Sequence, residues 1–350
     1  MKRVYKLISF LIFLLLTTPS YAQISNYTED SFFEWLRPLS SSDIEESEDD
    51  SPEKKFVLGY MYQFGNGVEE DTKKAKKLYK SAAESGHVPS MVALGKMYKL
   101  NNNSLSSLEE AFAWFSKASR EGSPHAWFEL GLMYESGEGV FANSEKALMA
   151  YEKAAEGGIV EAHMKVGAFY QNGRGTEKNM RKAIEHYIKF QEETKSEEAK
   201  QNVRKLLADI YLNIASEQKD EDKKLKWLRM AAQYGDMNAQ IIVADAYRNG
   251  KGILQDYEKA IGWYEKAAEQ GSAYAMENLG YIYSNGLIGE DADHSKAIAW
   301  YKQAAENGSA EAAWNIGNMY FNGYGIKKNI DEAKKWYDRS EVLSLHQANN

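Results

Sequence analysis

The chain has 350 residues, 51 acidic against 43 basic side chains, a formal net charge of −8, and no cysteine. Disulfides, cysteine metal ligands and a lipid-modified N-terminal cysteine are excluded on that count alone. The acidic balance argues against nucleic-acid binding.

Residues 1–22 open with Lys2, Arg3 and Lys6, run through the apolar stretch Leu7 to Leu16, and end at Ser20-Tyr21-Ala22. This pattern predicts a secretory signal peptide cut after Ala22. Its apolar run is shorter than the roughly 20 residues a membrane span needs, so no stable span is expected after cleavage. Cleavage would remove three positive charges and take the net charge from −8 to −11. Residues 23–53 read as an apolar cluster, Phe32, Phe33, Trp35 and Leu36, followed by an acidic linker from Ser41 to Glu53. The cluster is expected either to cap the first structural repeat or to bind a partner, and the linker to keep the chain soluble or to act as a docking tail.

From residue 54 to 340 one pattern returns. Tyr62, Tyr98, Tyr134, Tyr170, Tyr211, Tyr247, Tyr283 and Tyr320 recur at intervals of 36, 36, 36, 41, 36, 36 and 37 residues. A period of that size predicts stacked repeats, each burying its apolar face on the next. Three residues before each tyrosine stands Gly59, Gly95, Gly131, Gly167, Ala208, Ala244, Gly280 or Gly317, small enough for close helix contact. Twelve residues before it, six repeats place a glycine suited to ending a helix (Gly86, Gly122, Gly158, Gly235, Gly271 or Gly308). Three and five residues after it, five repeats carry a G-x-G turn, as in Gly137/Gly139 and Gly250/Gly252. In the segment DYEKAIGWYEKAAEQG, Ala260, Ile261, Tyr264, Ala267 and Ala268 form one apolar stripe at helical period. Each repeat is therefore predicted to be a helical hairpin.

Three repeats depart from this. Asn101 to Ser107 replaces the turn of the second repeat, Asn213 to Lys224 that of the fifth, and the seventh keeps Gly286 with one residue inserted before Gly289. Lys189 to Val203 lacks the Ala-Ala-x-x-Gly ending, so the second helix of the fourth repeat is expected to run long there, with a bend or irregularity nearby. Residues 341–350 are expected to be a polar, fraying tail.

The combination A-x-x-x-L-G-x-x-Y-x-x-G-x-G followed by K-A-x-x-W-Y-x-K-A-A-E-x-G resembles the Sel1-like repeat, a relative of the tetratricopeptide repeat. The match is best over residues 235–271 and 271–308 and extends over about 54–340. The resemblance implies an all-α fold, a right-handed superhelical αα-hairpin solenoid of about eight repeats. It also implies an adaptor role, in bacteria often in the cell envelope and sometimes at the interface with a host.

Catalytic signatures are missing. No G-x-S-x-G or H-E-x-x-H occurs, and the match Ser51-x-x-Lys54 lies in the acidic linker. His87, His125 and His163 are spaced by 38 and 38 residues but stand 11, 9 and 7 residues before their own tyrosines. They are read, with His186, His294 and His346, as isolated surface histidines, and no metal site is expected. The G-x-G turns lack the strand and Lys-Ser/Thr pair of a nucleotide loop. Trp114, Trp227, Trp263, Trp300 and Trp336 share one phase of the second helices and are read as packing residues.

No cofactor and no enzymatic activity are expected. The variable positions of the first helices are the candidates for recognition. Two residues before the tyrosine these are Tyr60, Lys96, Asp209, Asp245, Tyr281 and Asn318, and five before it Glu129, Lys165, Asn278 and Asn315. Asp245, Asn278, Tyr281, Asn315 and Asn318 are predicted to form a partner-binding patch. The leading expectation is an exported, periplasmic scaffold binding a protein or extended peptide, such as an envelope protein, along a concave groove. Two alternatives stay open: a surface-exposed or secreted virulence factor binding a host protein, and a protein that binds or hydrolyses cell-wall glycan or a related small molecule.

Overall fold

A computed structural model describes residues 50–101, 104–289 and 291–348. The signal-peptide reading and the apolar cluster fall outside the described residues, as does the linker before Asp50. The chain divides between Lys195 and Ser196 into two compact units.

The N-terminal unit holds four hairpins: α1 (Pro52–Phe64) with α2 (Thr72–Glu84), α3 (Val88–Asn101) with α4 (Leu105–Arg120), α5 (Pro124–Ser136) with α6 (Ser144–Glu156), and α7 (Val160–Asn172) with α8 (Met180–Glu193). The C-terminal unit holds four more: α9 (Glu197–Ser216) with α10 (Glu221–Gln233), α11 (Met237–Asn249) with α12 (Tyr257–Glu269), α13 (Ala273–Ser284) with α14 (His294–Glu306), and α15 (Ala310–Asn322) with α16 (Ile330–Ala348). Within each unit, the two helices of a hairpin pack together and every second helix packs on the first helix of the next hairpin. Among the described residues the regular structure is entirely helical.

Helix starts are written in the sequence as side-chain caps. Ser51, Ser123, Ser196, Ser272 and Ser309 cap first helices, and Asp71, Asn143, Asn179, Asp220, Asp256 and Asp293 cap second helices; each accepts a hydrogen bond from the amide three residues on. Such a cap stabilises its helix by about 1 kcal/mol. The glycines expected to end helices do adopt positive φ, as at Gly235 (102°) and Gly308 (97°). The second glycine of the G-x-G turn has a further task. A Cβ on Gly175 would lie 2.4 Å from the backbone of Ser144, at the start of the previous hairpin's second helix, so this turn also docks one hairpin on another.

The small residue before the motif tyrosine has a specific partner. A Cβ on Gly131 would lie 2.6 Å from the ring of Tyr151, and Gly59, Gly95, Gly167, Gly280 and Gly317 face Tyr79, Phe115, Tyr187, Tyr301 and Tyr337 in the same way. The ring from the second helix thus lies flat on the backbone of the first. Full burial of such a ring contributes about 1.5–3 kcal/mol, and Tyr79, Phe115, Tyr151, Tyr187 and Tyr264 are all fully buried. The preceding tryptophans, Trp114, Trp227, Trp263, Trp300 and Trp336, are half-buried. A lysine from the second helix sits over the motif tyrosine: Lys74 over Tyr62 (4.0 Å to the centroid), Lys182 over Tyr170 (4.7 Å) and Lys296 over Tyr283 (5.1 Å). Each such cation–π contact adds about 0.5–1 kcal/mol at an exposed site.

The fourth repeat differs from expectation. Its second helix, α8, stops at Glu193 and does not run long; the extra residues lengthen α9, which has 20. Ser196 accepts from the Ala199 amide, and Glu197 and Glu198 sit in the first turn of α9, where carboxylates complement the helix dipole. At the other end, α16 continues to Ala348, well into the stretch read as a polar tail.

Candidate functional site

The first helices present one recurring stripe, at positions 9, 6, 5 and 2 before the motif tyrosine and 1 after it. In the N-terminal unit the stripe is closed by charge. Lys99 on α3 pairs with Glu129 on α5 at 3.0 Å, and Glu135 at the end of α5 pairs with Lys165 on α7 at 3.0 Å. Each pair joins the residue after one tyrosine to the residue five before the next. Glu135 also receives Arg174 at 2.9 Å and the Tyr151 hydroxyl at 2.6 Å. Burial pushes the Glu135 carboxyl upward, but the hydrogen bonds from Tyr151, Lys165 and Arg174 outweigh it and hold the group below its ordinary value. The Tyr151 hydroxyl is pushed up, by burial first and then by Glu135.

In the C-terminal unit the same positions carry mostly amides, acids and aromatics. Asp245 accepts a hydrogen bond from the Tyr264 hydroxyl and lies 3.3 Å from the Tyr274 hydroxyl. Arg248, the residue after Tyr247, donates to Asn278 Oδ1 and has its other terminal nitrogen 3.7 Å from Asp245. Asn278 in turn donates to the Tyr274 carbonyl at 2.8 Å and is buried. Of the five predicted residues, Asp245 and Asn278 are therefore joined through Arg248 into a link between α11 and α13. Asn318 accepts from the Tyr337 hydroxyl at 2.8 Å within its own hairpin. Asn315 is half-buried, and Tyr281 is exposed.

Tyr281 is one of four large aromatics that open this stripe, and the sequence reading named it alone. Tyr274 is 46% exposed, Tyr281 49%, Trp314 52% and Phe321 47%. Tyr274 and Tyr281 stand two turns apart on α13, Trp314 and Phe321 two turns apart on α15, and the two helices touch. Among them lie Glu277, whose carboxylate accepts from Ser309 at 2.7 Å, and Glu311. In register with the motif tyrosine, positions 9 and 6 before it and 1 after it carry this signal, while positions 5 and 2 before it hold only Tyr281 of the four aromatics.

The histidines also need correction. His163 on α7 is buried and its Nδ1 lies 2.9 Å from Nδ1 of His186 on α8, so the two are a hydrogen-bonded pair rather than isolated surface groups. One ring donates and the other accepts. Burial, with the neighbouring His163, Lys189 and Lys182, lowers His186 to about 4; burial also lowers His163, against the pull of Glu193. The 3.6 Å approach of His163 to Glu193 is therefore not an ion pair near neutral pH. Among the described residues no three His, Asp or Glu side chains converge as metal ligands, and no helix is long and apolar enough to cross a membrane.

A family model described as the Sel1 repeat matches residues 56–87, 88–123, 124–159, 160–190, 238–272, 273–309 and 310–340. The hairpin α9–α10, which lacks the glycine turn, is the one it passes over. Among solved structures, a protective antigen of uropathogenic Escherichia coli strains displaying an SLR fold is 29% identical, with a TM-score of 0.47. The alignment covers 87% of this chain and 64% of that one, so this chain spans less than two thirds of that neighbour. A Sel1 repeat protein from Oxalobacter formigenes is 30% identical over 73% of this chain and 88% of its own, with a TM-score of 0.36. A Sel1 repeat protein from Klebsiella pneumoniae is 20% identical over 59% and 98%, with a TM-score of 0.31. No curated protein matches.

Proposed function

Because the chain belongs to the Sel1 repeat family, whose fold typically serves as a protein–protein interaction scaffold, we propose that it is a non-enzymatic, exported scaffold that holds a protein or extended peptide on the first-helix stripe of its C-terminal unit. The observation that carries this reading is the exposure of Tyr274, Tyr281, Trp314 and Phe321 on two touching helices. Large exposed aromatics with a polar rim are the usual anchors of a binding surface. Tyr281, Asn315 and Asn318 belong to the contact surface in this proposal, Asn318 with its side-chain carbonyl held by Tyr337, while Asp245 and Asn278, joined through Arg248, act as its frame.

Export rests on residues 1–22, and the periplasm is the proposed compartment, with the cell surface or the medium as the alternative. N-terminal sequencing of protein from fractionated cells tests this part; an intact Met1 in the cytoplasmic fraction contradicts it. The scaffold is tested by in-cell cross-linking and capture of the tagged chain beside a Tyr281→Ala/Trp314→Ala variant of matching helical circular dichroism. A partner held by the wild type and lost by the variant supports the reading, and one held equally by both removes it from this stripe.

A further inference from the structure

Links between first helices form at some steps and not at others: Gln63, after Tyr62, stays in its own hairpin with Tyr79, and the residue after Tyr211 is the apolar Leu212. The residue after the motif tyrosine reaches the next first helix as Lys99 to Glu129, as Glu135 to Lys165 and as Arg248 to Asn278. At the step from α13 to α15 that residue is Ser284, whose hydroxyl stays in its own hairpin, donating to the Tyr281 carbonyl at 3.0 Å and lying 3.3 Å from the Tyr301 hydroxyl. At this step the stripe has acids and no base. Helices α13 and α15 carry one carboxylate each, Glu277 and Glu311, and no lysine or arginine.

The two acids lie together. The Glu277 carboxylate accepts from Ser309 at 2.7 Å, and Ser309 is the N-cap of α15, two residues before Glu311. The Tyr301 hydroxyl is pushed up by burial, against its contact with Ser284, and then by Glu277, Glu311 and Tyr281. Glu277 itself is raised, by burial first; Ser309 offsets this in part and Glu311 adds to it. None of these influences is a cation. Glu135, on the stripe of the N-terminal unit, holds two cations. Beside the uncompensated acids stand the exposed faces of Tyr281 and Trp314.

We propose that the α13–α15 stripe binds an extended basic segment of a partner protein, whose arginine side chains stack on Tyr281 and Trp314 and pair with Glu277 and Glu311. The partner supplies the cation that the repeats themselves supply at Lys99, Lys165 and Arg248. A guanidinium fits this site better than an ammonium: it is less strongly hydrated, stacks flat on aromatic rings and offers a planar fork to a carboxylate. This inference rests on the scaffold reading and narrows it to one class of partner.

The test is a fluorescence-anisotropy titration of the mature chain with a short labelled peptide alternating arginine and alanine, beside the same peptide with citrulline, its neutral isostere, or with lysine. The arginine peptide is expected to bind about tenfold or more tighter than the citrulline peptide, and lysine to fall between. Glu277→Gln/Glu311→Gln should weaken arginine binding by about tenfold, and Trp314→Ala by about fivefold or more. Glu138→Gln/Glu156→Gln removes the same charge from exposed positions of the N-terminal unit and should change binding by less than about twofold. Equal affinity for the citrulline peptide, equal weakening by both double variants, or tighter binding of a peptidoglycan oligosaccharide at this stripe would overturn the inference. If the arginine peptide does not bind while a cellular partner is still captured through Tyr281 and Trp314, the basic-segment inference falls and the scaffold reading stands; loss of both removes both.

Discussion

The two units use one helical register for opposite ends. In the N-terminal unit the first-helix stripe carries Lys99, Glu129, Glu135 and Lys165, and these charges, with Arg174 from the turn after α7, are spent on one another across successive hairpins. In the C-terminal unit the stripe carries Tyr274, Glu277, Tyr281, Glu311, Trp314 and Phe321, with a single arginine, Arg248, engaged at its first step. The packing beneath is shared, with an aromatic ring on a small residue in both. The buried positions of the repeat fix the fold, while the stripe above them is left to other uses, in the N-terminal unit the tying of one repeat to the next.

The largest effect is expected at the shared packing. Gly131→Ala would place a Cβ 2.6 Å from the fully buried Tyr151 ring and should cost about 1–3 kcal/mol. Ala244→Gly, at the equivalent site of the other unit, should cost about 1 kcal/mol through helix propensity and a small cavity. Urea unfolding followed by circular dichroism reads both. Equal, negligible losses would show that the ring contact does not control the hairpin.

Next in size is the histidine pair, which belongs to the N-terminal unit alone. His186 is lowered from 6.5 to about 4, so between those values the unfolded chain binds a proton that the folded one does not. Stability therefore falls as pH drops through this window, by about 1–2 kcal/mol once the solvent reaching His186 is allowed for. Lys182 and Lys189 sharpen the effect and Glu193 opposes it at His163. His186→Phe should flatten that limb of the stability–pH curve, and an unchanged limb would refute the assignment.

A smaller loss, about 1 kcal/mol, is expected for Glu135→Gln, which keeps the shape but weakens the hydrogen bonds to Lys165, Arg174 and Tyr151. Tyr281→Ala/Trp314→Ala should change stability least, within about 0.5 kcal/mol per residue, because both side chains are half exposed. A cost as large as that of Gly131→Ala would mean that these aromatics hold the fold rather than face a partner.

The architecture was legible because several positions recur in phase: a tyrosine, a small residue three before it and a glycine turn after it. Helix caps such as Asp256 and Ser272 were equally open to reading. The long α9 was misplaced because the missing glycine signal drew attention to the end of α8, while the cap at Ser196 marked the start of the next helix. The His163–His186 pair was hidden by 23 residues of separation, which antiparallel pairing in the hairpin closes. At the stripe, register told which positions share a face but not which polar groups satisfy each other. Asn278 illustrates this: the sequence offered it as a contact residue, and Arg248 and the Tyr274 carbonyl take up its amide.

In the proposed function the stripe of the C-terminal unit, and not its charged counterpart, faces the partner. The most direct measurement places a photo-crosslinking amino acid at position 281 or at position 96, which share one register, and compares the adducts formed in living cells. The account predicts a discrete protein adduct from position 281 and none from position 96. Adducts of equal yield from both, or from position 96 alone, would contradict it.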